Sequence, residues 1–81
     1  MALHLIFSVS SWQACQPYLQ DEDVVILMGE GVYARPETPH YVLDPDLSIR
    51  GMQATSSATC IDYAELIRLT ESHHPAVSWN E

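Results

Sequence analysis

Two cysteines and four histidines are the residues of this chain best suited to chemistry. A cysteine reacts as its thiolate, so it needs a helix N-terminus or a nearby cation to lower its pKa. Cys15 follows Ser8, Ser10 and Ser11, three candidate N-caps. That spacing predicts a thiol near a helix start and partly exposed. No basic residue adjoins it, so two readings stand: a reactive nucleophile or an inert thiol. Cys60, between Thr59 and Ile61, reads as a small buried hydrophobe. His4, His40, His73 and His74 make no metal-ligand spacing with either cysteine. The adjacent pair His73-His74 reads as the end of a helix, where it complements the dipole. Gly29-Glu30-Gly31-Val32-Tyr33-Ala34 fits G-x-G-x-x-A after a strand. Prolines follow at once, however, and the chain is too short for a cofactor half-domain, so the dinucleotide motif is incomplete. There is no G-x-S-x-G elbow to anchor a serine nucleophile. No metal and no cofactor are expected.

The stretch that must position these residues is Asp23 to Ala34. Val24-Val25-Ile26-Leu27-Met28 is a continuous apolar run bounded by an acid and by Gly29-Glu30-Gly31. An uninterrupted run of this length reads as a strand buried on both faces, the centre of a parallel sheet with helices on either side. Leu3 to Val9 is a first strand. Trp12 to Leu19 is a short helix with Trp12, Cys15 and Leu19 on one face, and Pro17 shortens or kinks it. Arg35 to His40, with two prolines, is a stiff loop before a third strand, Tyr41-Val42-Leu43. Asp44 to Gly51 is a compact helix: Asp44 caps, Pro45 takes the first position and Gly51 stops it. Thr59-Cys60-Ile61 is a buried fourth strand. Asp62 and Glu65 make a capping box for a helix to about Ser72, with Tyr63, Leu66, Ile67 and Thr70 inward. Ala76 to Trp79 is a final edge strand. The alternation gives one α/β domain over residues 1–81: a small layered sandwich with a mainly parallel, four- to five-stranded sheet between helices.

Charge narrows the function classes. The chain has 81 residues, eleven acids, three arginines (Arg35, Arg50, Arg68) and a net charge of −8. Direct nucleic-acid binding needs cations to displace counterions, and an anionic membrane surface needs them equally. Neither fits this chain. No apolar run approaches the ~20 residues of a membrane span, and the N-terminus reads as a strand and not as a signal peptide. A cytoplasmic location with both cysteines reduced is expected. A core this small gives about 3–5 kcal/mol of net stability, so oligomerisation is the expected reinforcement.

Three segments resemble one family. Met28-Gly29-Glu30-Gly31-Val32-Tyr33-Ala34 is similar to its "DGVYA" strand end. Tyr41-Val42-Leu43-Asp44-Pro45-Asp46-Leu47 through Arg50-Gly51 is similar to its "YVLxxDLxARG". Ile61 to Thr70, then His73 or His74 and Ser78-Trp79, resembles its "IDYxxFVxLTxxH…W", and Leu3-His4 fits its "LH" start. This is the DsrH/TusB family of sulfur-relay subunits. The resemblance implies a DsrE/DsrF/DsrH-like fold and a cytoplasmic heterohexamer with two homologous subunits, of the TusC/TusD or DsrE/DsrF type. It implies passage of persulfide sulfur toward 2-thiolation of the tRNA wobble uridine, or, in the other branch, oxidation of stored sulfur. The main relay cysteine belongs to another subunit. Cys15 lies sixteen positions before Gly31, as the DsrH-type cysteine does, so the resemblance makes it an auxiliary persulfide carrier. The expected role is assembly, at most that of a sulfurtransferase subunit. The alternatives are a non-catalytic homo-oligomer and a stand-alone sulfurtransferase. Family members usually carry a longer stretch, with a helix, between "GVYA" and "YVL". The short Arg35–His40 segment implies either a tight crossing or a rearranged sheet.

Overall fold

The computed structural model describes residues 1–80. Its five strands are β1 (Leu3–Ile6), β2 (Val24–Leu27), β3 (His40–Leu43), β4 (Ala58–Ile61) and β5 (Ala76–Trp79). Their spatial order is β4-β3-β2-β1-β5, and every pairing is parallel. The apolar run therefore forms the middle strand: Val25, Ile26 and Leu27 are buried, as a strand covered on both faces requires. The sheet is not rearranged at the short segment. β2 crosses to β3 through a 3₁₀ turn, Gly29–Tyr33, and the extended chain after it. Residues 28–39 supply the roughly dozen positions that a parallel crossover needs.

Topology decides which face each connection covers. The chain steps from β1 to β2, β3 and β4 in one direction and then returns past the whole sheet to β5. Parallel crossovers keep one hand, so the return lies on the opposite face from the rest. The core divides accordingly. One face buries Ile6, Val25, Leu27 and Val42 under α1 (Val9–Cys15), the 3₁₀ turns and α2 (Asp44–Ser48). The other buries Leu3, Ile26, Leu43 and Ile61 under α3 (Tyr63–Ser72) alone. α3 has no fully buried residue, and Leu5, Val24, Met28 and Tyr41 beneath it are only partly covered.

Several local expectations change. Ser8 is the cap that α1 uses, its Oγ accepting from the Ser11 N–H at 3.0 Å, so the helix begins at Val9 and β1 ends at Ile6. Pro17 falls in a separate 3₁₀ turn, Gln16–Tyr18, where its missing N–H costs nothing. Asp44 does not cap α2: Leu43 holds that position, and Asp44 is the first helical residue. Asp62 does cap α3, its Oδ1 accepting from the Glu65 N–H at 2.9 Å. The inner residues of α3 are Leu66 and Leu69, while Tyr63 and Ile67 face out at 56% and 57% exposure. β4 is an edge strand, so Thr59 and Cys60 are exposed and not buried.

Candidate functional site

The face Trp12-Cys15-Leu19 meets the sheet as its spacing requires. Trp12 and Leu19 pack against a cluster that contains Cys15, Ile6, Leu27 and Val32. Cys15 itself is the last residue of α1 and fully buried, not a partly exposed residue at the helix start. Burial pushes its thiol up to about 11, with the Asp23 carboxylate adding to the rise. At neutral pH it is a protonated thiol under apolar cover, a slow nucleophile.

Cys60 lies at the open edge opposite Val42. Its thiol is raised too, by desolvation first and then by the charge and hydrogen bonding of Asp44. The two cysteines stand on separate elements, α1 and β4, and both are free. Among the described residues no three His, Cys, Asp or Glu side chains converge as metal ligands.

The glycine turn after β2 serves packing. Gly29 adopts φ +53°, and its N–H donates to Asp46 Oδ2 at 2.7 Å. A carboxylate thus holds the N–H that a phosphate would need. At Gly31 a Cβ would stand 2.1 Å from the Ile6 carbonyl oxygen, so only glycine lets this turn lie against β1. Arg50 closes the same corner. Its Nη1 donates to the Asp46 carbonyl at 3.0 Å, Nη2 reaches Glu30 at 3.2 Å, and the guanidinium sits 5.8 Å from the Tyr33 ring centre.

A buried polar chain was not visible from residue types. His4 Nε2 lies 2.9 Å from Asp23 Oδ2, and Trp79 Nε1 donates to His4 Nδ1 at 3.1 Å. Asp23 also accepts from the Ala2 N–H at 3.0 Å and the Gln20 N–H at 3.1 Å. The His4 bond, more than any other contact, holds the Asp23 carboxyl below its ordinary range. The signal in the sequence was the pairing of a Leu3-His4 start with a Ser78-Trp79 end, which the fold brings into contact.

Residues 7–76 match the family model described as "DsrH like protein". The chain belongs to the DsrH family. It is 36% identical over 66 residues to Protein TusB of Pectobacterium carotovorum subsp. carotovorum (strain PC1), covering 75% of this chain and 70% of that one. In this DsrH-family chain the matched span runs from the end of β1 to the start of β5 and so takes in Cys15, the glycine turn, Arg50 and α3. No helix among the described residues is long and apolar enough to cross a membrane.

Proposed function

We propose that this chain is an assembly subunit of a cytoplasmic sulfur-relay complex that passes persulfide sulfur toward 2-thiolation of the tRNA wobble uridine. The observation that carries the assembly role is the state of Cys15: buried, protonated and beside a carboxylate. A principal relay thiol needs the opposite environment. The family supports the relay, and the half-covered sheet face with outward Tyr63 and Ile67 supports a subunit built to pack against others. The net charge of −8 supports reaching tRNA only through partners.

Cys15 is the auxiliary carrier in this reading. Its thiolate attacks the outer sulfur of a donor persulfide, a new Cys15 persulfide forms and the donor leaves as a thiolate, with no net redox change. That step requires a partner to open the cover over α1. Native mass spectrometry of the chain purified from its own host at low salt tests the assembly. Two co-purifying proteins of similar size in equal ratio are expected. A homo-oligomer alone would overturn the relay-subunit reading and leave Cys15 to be tested as a persulfide acceptor without partners.

A further inference from the structure

His4 is 4% exposed, and both of its ring nitrogens are engaged. An indole N–H can only donate, and an ionised carboxylate can only accept. The ring between Trp79 and Asp23 is therefore a neutral imidazole with its proton on Nε2. Its one remaining protonation site, Nδ1, is the atom that holds Trp79.

We propose that His4 is a proton-operated latch on the edge strand β5: a proton taken up at Nδ1 breaks the bond to Trp79 and releases the indole, while the bond to Asp23 persists. The bond broken is N–H···N. Once Nδ1 carries a proton, two N–H groups face each other and the indole must turn away. The charge created on His4 stands 2.9 Å from a carboxylate, so its burial is matched and the fold need not open. The released element is an edge strand. β5 has β1 as its single strand neighbour. Beyond His4, Trp79 rests on the ring of Tyr18 at 6.0 Å and on the apolar cluster that includes Cys15.

The titratable groups around the latch are few. Asp23 faces His4 from the segment before β2, Tyr18 faces Trp79 from the 3₁₀ turn after α1, and Cys15 lies in the cluster below. Histidine is the side chain whose charge ordinarily changes between pH 5 and 8. Asp23, held below its ordinary range, stays ionised there, and the Cys15 thiol, pushed up to about 11, stays protonated.

A Trp12→Phe variant leaves Trp79 as the single tryptophan, read by excitation at wavelengths that tyrosine does not absorb. From pH 8 to pH 5, its emission is expected to shift to the red and its quenching by acrylamide to rise along a one-proton curve, with far-UV circular dichroism unchanged. In Trp12→Phe/His4→Gln, where the amide can accept from the indole and donate to Asp23 without titrating, both changes are expected to vanish. A flat response, the same curve in the double variant, or loss of helical signal in step with the emission would each overturn the latch. Nitrogen NMR of the unmodified protein tests the same point should the variants fail to fold. At pH 8, His4 Nδ1 is expected bare and the Trp79 indole proton protected from exchange, both states ending together as pH falls. A proton on Nδ1 at pH 8, or indole protection that outlasts its arrival, would overturn the proposal.

Discussion

Cys15 and Cys60 differ in access more than in chemistry, and that difference is measurable. Three pH units separate a pKa of about 11 from pH 8, so only about one Cys15 in a thousand is thiolate there. Iodoacetamide at pH 8 is expected to label exposed Cys60 first and Cys15 only on unfolding, which mass spectrometry of tryptic peptides reads directly. The sequence placed Cys15 on the correct helix face because three- and four-residue spacing is a local property. It misplaced the thiol along the helix because three serines competed to cap, and the choice of Ser8 moved Cys15 from the first turn to the last residue. Asp23 carries the clearest pH dependence. Its native pKa lies below the ordinary value, so its contribution is complete above about pH 4 and is lost as pH falls through the lowered value. Asp23→Asn is expected to lower stability by about 1–3 kcal/mol near neutral pH, because donors from Ala2, His4 and Gln20 lose a charged acceptor. Thermal melts from pH 6 to pH 2 should show the gap between the two proteins closing on the acid side.

The glycine turn between β2 and β3 shows how one element can replace a helix. It crosses the sheet in a single 3₁₀ turn because Gly31 lets the backbone touch the Ile6 carbonyl. Gly31→Ala should cost roughly 3 kcal/mol or more, the upper end of overpacking, since a backbone and not a flexible side chain stands in the way. Gly29→Ala meets no neighbour and pays only for its positive φ, about 1–2 kcal/mol. Denaturant midpoints of the two variants will rank them. The central strand and the edge strand Ala76–Trp79 were readable because apolar runs and short bounded segments are local signals. The exposure of β4 was not, since position in a sheet is fixed by strand order and not by a strand's own residues. The outward turn of Tyr63 and Ile67 escaped for a related reason: their spacing marks an apolar side of α3, but the sheet meets the side carrying Leu66 and Leu69.

At the scale of the molecule, asymmetry of cover is the dominant feature. Three connections protect one face of the sheet and one ten-residue helix protects the other. Ile67→Glu should leave the isolated chain within about 0.5 kcal/mol of its original stability, since an exposed side chain contributes little to folding. If the proposed partners cover this face, the same change should weaken their association by ~10-fold or more, as charge placed in an apolar contact does. Melting temperature and native mass spectrometry on one sample separate the two effects. The polar chain from Asp23 through His4 to Trp79 belongs to this scale as well, for it joins groups 75 residues apart, and no local pattern could announce it.

The pairing of β5 with β1 also sets an order of events during synthesis. A ribosome makes β1 first and its second neighbour last. The loop that this pairing closes spans nearly the whole chain, the most costly closure the topology contains. Until Trp79 has left the exit tunnel, one side of β1 has bare N–H and C=O groups while its other side is already paired with β2. A stalled or nicked chain missing only its last strand would therefore keep most of its core and gain a sticky edge, a substrate for chaperones more than for proteases.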